Sequence, residues 1–433
     1  MSPWRQVQRT YLLLTLLSTL AASLIWGINT LFLLDAGLTN TQAFTANAFF
    51  TAGLLVCEIP TGVVADTRGR RTSFLLGSAT LLLSTLLYLL MWRVQGPFWG
   101  WAIASALIGL GFSFFSGAVE AWLVDALNAT GYDGNLESMF AKGQVVAGVA
   151  MLSGSVAGGF IAQATDLGVP YIIRSALLAV TLVAAALFMH DLGFTPSHDR
   201  RPGDEVKRVL RLSIAGGLGN RPVRWLMLEA PFTGGTAIFA GYVAQPYLLE
   251  LYGDETAFGI AGLAAAIIAG AQIVGGLTVP AIRRIVRRRT HALIGAVAVS
   301  VAVLALLGLT STFWFALVLL VIWGLAFSAT LPLRQACING LIPSEQRATV
   351  LSFDSLMASV GGVVVQPALG RVADVSGYGA SYLGSAVVTA AALPFVILAR
   401  RENAPSDPIV HDEPAPGPIG PVEQTVKARQ TGR

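Results

Sequence analysis

Apolar residues fall along this chain in blocks of roughly 20, the length a helix needs to cross a bilayer core, and polar residues gather in the short stretches between. The pattern predicts twelve spans: 11–34, 43–65, 72–92, 98–126, 138–164 and 168–189, then 223–251, 257–281, 291–309, 312–338, 349–372 and 377–398. The first block follows Arg5 and Arg9, as a secretory signal would. Its apolar run continues past Ile25 to Leu34, too long for a signal core, so it is read as a retained helix. Residues 190–222 are polar, with Pro196 and Pro202, and are expected to link two halves, with a short amphipathic surface helix around Val206 to Leu212. Beyond Arg400 come six prolines from Pro405 through Pro421 among few apolar residues, which predicts a disordered extension. The expected organisation is a six-helix bundle over 1–190, a linker over 191–222, a second six-helix bundle over 223–399 and a tail over 400–433.

The two halves can be laid over one another. Arg71-Thr72 is followed by Gly77 after the second span, and Arg289-Thr290 by Gly295, at the same spacing, after the eighth. Ser155 in the fifth span and Pro367 in the eleventh are each followed by a glycine, Gly158 and Gly370, at the same distance. In a chain with 46 glycines each match alone says little, but their shared order argues for a duplicated unit. Such repeats are the usual construction of secondary transporters.

Composition excludes the common soluble classes. Apolar residues make up 54% of 433 positions and charged residues 12%, about half the roughly 25% of soluble domains. The net charge of +4 does not point to nucleic acid, because the positive residues sit in loops of one parity. Arg68, Arg70 and Arg71, the cluster from Arg200 to Arg224, and Arg283, Arg284, Arg287, Arg288 and Arg289 mark one side. Of the 28 Lys and Arg residues, Arg93, Arg174 and Arg371 fall toward the other. The positive-inside rule then puts both termini in the cytoplasm of a multi-pass protein of the cell membrane. Cys57 and Cys337 lie in apolar runs and read as small buried hydrophobes. His190, His198, His291 and His411 lack metal-ligand spacing, and no glycine loop ends in Lys-Ser or Lys-Thr, so neither a metal, a cofactor, an enzyme nor an ATP-driven pump is expected.

Ionisable side chains inside a span cost about 2.5–3.5 kcal/mol each on insertion scales and are functional candidates by default. Glu58, Glu120, Glu229 and Arg334 are placed this way. Glu58 lies two turns before Asp66 and just ahead of Pro60, which interrupts the helix ladder. Glu120 precedes Asp125 by five positions, so the two do not share a face. A desolvated carboxylate can take up and release a proton near neutral pH, and Glu58 or Glu120 would then couple proton entry to solute exit. The plainer reading of each acid is a structural pair with a basic or hydroxyl partner, as Glu229 with Arg334. The alternative for Arg334 is that it attracts an anionic solute. Asp354 reads as interfacial. Trp26, Asn29 and Gln245 are placed to line a cavity or simply to pack.

The sharpest local pattern is Gly62-Val-Val-Ala-Asp66-Thr-Arg68-Gly69-Arg70-Arg71, at the basic end of the second span. Glycines let the helix end turn tightly and approach a neighbour, and Asp66 with the arginines can form a charge-assisted latch. Here the chain resembles the major facilitator superfamily. Gly62, Asp66, Gly69, Arg70 and Arg71 match its motif, and Thr67 departs from it where a base is usual. The resemblance implies an all-α membrane fold of twelve transmembrane helices in two pseudo-symmetric six-helix bundles. It also implies that Asp66 and Arg70 engage an acid at the inner end of the fourth span, for which Asp125 fits, and stabilise the outward-facing state. Gly154, Gly158 and Gly159 resemble the family's antiporter motif with Ser155 in place of proline, although small residues at this spacing also let any two membrane helices pack closely. The function so implied is secondary transport by alternating access, as proton-coupled export of a drug-like or metabolic compound by a monomer in a lipid bilayer. The alternatives are uptake or facilitated diffusion of a polar or anionic solute, and a non-transporting scaffold or sensor on the same fold.

Overall fold

The computed structural model describes residues 2–196, 203, 211, 214–343 and 346–409. Apart from residue 211, the linker positions expected as a surface helix around Val206 to Leu212 lie outside this set, as do His198, His411 and residues 410–433. The first half contains α1 (Pro3–Trp26), α2 (Asn29–Asp35), α3 (Asn40–Arg68), α4 (Arg70–Val94), α5 (Phe98–Phe115), α6 (Ala118–Ala129), α7 (Leu136–Ala164) and α8 (Val169–Phe188). The second contains α9 (Arg221–Tyr252), α10 (Phe258–Leu277), α11 (Val279–Ile285), α12 (Arg289–Leu309), α13 (Phe313–Asn339), α14 (Arg347–Ala390) and α15 (Leu393–Arg401).

An all-helical chain is what lipid demands, since a helix satisfies its own backbone donors and acceptors where water is absent. Among the described residues, ten helical stretches are long and apolar enough to cross a membrane. One of them, Thr349–Arg401, runs 53 residues and reverses at Gly377, where φ is 84°. The reversal brings Gly384 back against the Leu369 side chain, so this stretch makes two traverses. The 32-residue α9 lies outside those ten; it carries Pro231 and Pro246. The predicted first span begins eight residues earlier than expected, at Pro3, and is broken after Trp26, while the fourth is broken at Gly117 with φ 68°. Large apolar side chains such as Leu83, Leu187, Leu309 and Val387 face outward, where lipid takes the place of a protein core.

The tail is corrected in its first part. Residues 403–409 fold against the second half: Ser406 Oγ donates to the Cys337 carbonyl at 2.8 Å, Ile409 N to the Arg287 carbonyl at 3.0 Å, and Arg288 pairs in an isolated bridge with Pro408. Both cysteines are free.

Four apolar clusters hold the bundle, and their membership shows its shape. At the basic end, where Arg68–Arg71 and Arg283–Arg289 lie, one cluster (Val7, Leu14, Phe74, Trp122, Met189) is drawn only from the first half, and another (Val223, Leu226, Leu293, Ile338, Val396) only from the second. At the opposite end the clusters are shared: Leu249, Ala257 and Ala261 join Phe32 and Trp101, and Phe44 packs into Phe239 and Tyr382. The halves are welded at one end and separate at the other.

Candidate functional site

A cavity of about 320 Å³ lies between the halves. Its wall from the first half includes Glu58, and its wall from the second includes Glu229, Thr233, Arg334, Gln335 and Asp354. Glu229 comes two residues before Pro231 in α9, just as Glu58 comes two before Pro60 in α3, and each proline removes a ladder hydrogen bond. In the turn before Pro231, the Leu226 carbonyl accepts from Arg334 Nη2. Arg334 also donates from Nε and Nη2 to both oxygens of Asp354, at 2.9 and 2.6 Å, and from Nη1 to Glu229. The second Glu229 oxygen accepts from Thr233 Oγ1 at 2.6 Å. The expected Glu229–Arg334 pair is therefore present, and Asp354, read as interfacial, is instead its third member. Four of the five N–H groups of the guanidinium are spent, and two carboxylates on one base leave the network at net −1 when all are ionised. Glu58 adds a further carboxylate, which has no hydrogen bond or ion pair among the described residues. Glu120 is exposed on α6 and does not line this cavity.

A second cavity, of about 340 Å³, opens on the first half nearer the welded end. Trp26 and Asn29 line it as expected, with Asn47, Tyr88, Arg174 and, from the second half, Tyr242. Asn29 donates to Asn47 Oδ1 at 2.9 Å and accepts from Tyr171 Oη at 3.0 Å. Arg174, assigned from hydropathy to the outer surface, is only 1% exposed. Its Nε donates to Thr85 Oγ1 and its Nη1 to the Ala21 carbonyl, while Nη2 has no partner among the described residues. Gln245 does not line this cavity: its Oε1 accepts from Thr30 N at 2.8 Å, and its Nε2 donates to the Trp26 carbonyl at 2.9 Å, tying α9 to the first half.

At the basic end, Gly69 adopts φ 105° and turns the chain from α3 into α4, a conformation that favours glycine. Arg70 Nη1 donates to Asp66 Oδ1 at 2.6 Å. Asp125 is not brought to them; its carboxylate makes no hydrogen bond or ion pair among the described residues. Gly62 approaches no neighbour, since a Cβ there would meet nothing within 4 Å. Instead Arg71 N donates to Asp191 Oδ1 at 2.8 Å, so the residue that caps α4 comes from the segment after α8. The second half repeats the device. Thr290 N donates to Asp407 Oδ1 at 2.8 Å, capping α12 from the segment after α15. The Arg71-Thr72 and Arg289-Thr290 match in sequence thus marks a matching joint in space. Asp191 and Asp407 escaped the sequence reading because a cap supplied from over a hundred residues away leaves no local signature.

The opposite end is closed by polar ties between the halves. Asp374 accepts from Asn40 N at 2.8 Å, Thr41 N at 2.9 Å and Thr41 Oγ1 at 2.5 Å, and Gln366 Nε2 donates to Thr51 Oγ1 at 3.2 Å deeper in. The glycines of α7 serve packing here. A Cβ on Gly158 would collide with the Leu24 carbonyl of α1, and one on Gly154 with Ser23. Gly159 faces the other half, where a Cβ would stand 3.0 Å from Gly262 Cα of α10, and one on Gly27 would stand 2.9 Å from the same atom.

A family model described as Major Facilitator Superfamily matches residues 11–309 and again 233–430, the two matches overlapping over 233–309 and together spanning nearly the whole chain. No curated protein matches in sequence. Among solved structures, the nucleoside transporter NupG superposes with a TM-score of 0.74 at 11% identity, covering 92% of this chain and 99% of its own. The transporter PepTSo of the POT family gives 0.70 at 15% identity over 93% and 98%. A bacterial homologue of the human lysosomal transporter Spinster, in an inward-facing and unoccupied conformation, gives 0.71 at 14% identity over 94% and 99%. At these identities the likeness is one of fold.

Proposed function

Because the chain belongs to the Major Facilitator Superfamily, and so is a multi-pass membrane transporter of small molecules rather than an enzyme, we propose that it is a proton-coupled exporter working by alternating access, with Glu58 as the proton-carrying group. The observation behind this reading is that Glu58 stands in the cavity shared by the halves with no partner among the described residues, opposite a network already in excess of acid. A charge in that position is costly, and a proton offsets the cost. Export then follows if loading of the solute and protonation of Glu58 exclude one another during alternating access. Arg334 is a poor ligand for an anionic solute because its donors are spent, which weighs against the reading in which it draws such a solute inward.

The basic end faces the cytoplasm of the cell membrane in this reading, with 1–190 and 223–399 as rocking bundles joined by 191–222, and with a monomer as the working unit. The separation of the halves at that end then corresponds to an inward-open state. Asp66, Arg70 and Asp125 all lie in the first bundle, so their contact forms in this reading through a local shift of α6 against the α3–α4 turn as that end closes. Asp66→Asn or Arg70→Ala is expected to abolish transport in protein that still inserts, and wild-type rates in both would count against the latch.

Proteoliposomes with an imposed pH gradient and an internal pH-sensitive dye test the coupling. A panel of drug-like compounds should release protons in wild type, lose that release in Glu58→Gln, and retain it in Glu120→Gln, whose side chain lies outside the cavity. Solute movement in wild type with no proton flux would overturn coupled export in favour of facilitated diffusion. A chain that moves no solute in either direction would point to the scaffold reading.

A further inference from the structure

We infer that the cavity around Arg174 is a binding site for an organic monoanion with an apolar or aromatic body, the guanidinium taking its carboxylate or equivalent head group. This rests on the transport reading above and names the chemical class of the solute.

Two buried donors without an acceptor belong to residues that line this one cavity. Arg174 Nη2 and Asn47 Nδ2 are both enclosed and without a hydrogen bond, and both residues are among its lining. A buried donor normally has a partner, and a buried guanidinium normally has an acid. Among the described residues Arg174 has no acid and its Nη2 has no partner, although Nε and Nη1 are bonded, and the lining contains no Asp or Glu. Elsewhere in the same protein the rule is followed: Arg334, equally deep in its span, has two carboxylates. The acceptors that could serve locally are engaged, Asn29 Oδ1 by Tyr171 and Thr85 Oγ1 by Arg174 Nε. The group that complements these donors is acceptor-rich and carries one negative charge.

The rest of the wall specifies the body of the ligand. Ile25, Trp26, Phe50, Leu54, Ile108 and Phe112 are apolar, and Trp26 is 49% exposed, its indole available for stacking. The volume lies in the range of small-ligand sites, about 300–1,000 Å³. Tyr242 is the contribution of the second half, so a ligand held on Arg174 touches both halves and senses their relative position. The acidic cavity around Glu58 and this cationic one divide the work, proton in the first and anion in the second.

The test is equilibrium binding to the purified full-length chain in detergent, without a gradient, by calorimetry. The probes are benzoate, 1-naphthoate and octanoate, each paired with its neutral amide. At least one carboxylate should bind about tenfold or more tightly than its amide, the discrimination expected when a positioned charged donor meets or misses its partner. Arg174→Gln should erase that preference, Arg174→Lys should keep part of it, and Asn47→Ala, which leaves the guanidinium in place, should weaken the carboxylate severalfold. Should Arg174→Gln fail to fold, Asn47→Ala carries the test, with Trp26→Ala expected to weaken the naphthyl probes more than octanoate. Amides that bind as well as every carboxylate in wild type overturn the inference, as does a carboxylate preference that survives Arg174→Gln. Because no proton gradient enters the measurement, failure of proton coupling in vesicles leaves this result unaffected, and the two readings fail separately.

Discussion

Asp374→Ala should shift the balance between the two ends of the molecule. The Asp374 carboxylate accepts from two N–H groups in the first turn of α3 and from the Thr41 hydroxyl, and all three bonds cross between the halves. The carboxylate also meets the positive end of the α3 dipole. Hydrogen bonds to a charged group contribute about 1.5–3 kcal/mol each when sheltered. These are exposed, so solvent screening reduces the whole cluster to about 2 kcal/mol. The bonds exist only while this end is closed, and an interaction present in one state alone moves the equilibrium by its full value. The welded state should therefore lose about 30-fold in weight against the alternative, since about 1.4 kcal/mol is tenfold. Spin labels at the exposed positions Lys142 on α7 and Arg284 on α11, in a background with Cys57 and Cys337 replaced by serine, report the gap between the halves at the basic end. Pulsed dipolar spectroscopy should show the long-distance population shrinking in Asp374→Ala, with Asp374→Asn between it and wild type. If the distance distribution is unchanged in Asp374→Ala and in the Asp374→Ala/Thr41→Val double variant, these bonds do not hold the end shut and the reasoning is wrong.

Arg334→Ala strands two carboxylates in a buried network and should lower stability by about 3–5 kcal/mol in thermal unfolding in detergent, with recovery when Glu229→Gln and Asp354→Asn are added; an unperturbed melt would show that the network contributes nothing. Gly158→Ala places a methyl against the Leu24 carbonyl and should cost about 1–3 kcal/mol, whereas Gly241→Ala, with nothing within 4 Å of the new Cβ, should be neutral or stabilising; equal melting of the two would refute the packing role of α7. Asp191→Ala and Asp407→Ala should each cost about 1 kcal/mol, and, lying in different halves, their effects should add; a double variant no worse than either single one would dissolve the proposed pairing of the two joints.

Spans were legible because a bilayer imposes length and apolarity on every one of them, and both properties survive in one dimension. Their ends were less so: α1 starts at Pro3, well before its apolar run, because an amphipathic first turn with Val7 buried needs no uniform hydropathy. Gly69 could be picked out as a turn from the motif around it, since only glycine relaxes at φ 105°. Glu58, Glu229 and Arg334 stand out by charge in an apolar field, and all three line one cavity. Arg174 carries the same signal but is only the sixth residue of α8, where hydropathy cannot tell a surface anchor from a guanidinium turned inward. Asp354 was misjudged for the same reason. Whether a charge near the end of a span reaches water or a neighbouring helix depends on helix rotation, which packing sets and local sequence does not.

Gly27, Gly159 and Gly262 bring three helices to near backbone contact at a point where no side chain intervenes. A junction of that kind is a fulcrum, a place with almost no displacement and all of the turning. From Gly159 to the basic end of α7 at Leu136 there are 23 residues, an arm of about 35 Å. A tilt of about 10° around the glycines carries the tip of that arm about 6 Å. Filling the fulcrum with a methyl group would not plug the path of any solute, yet it would stiffen the lever, and turnover would fall while binding stayed intact.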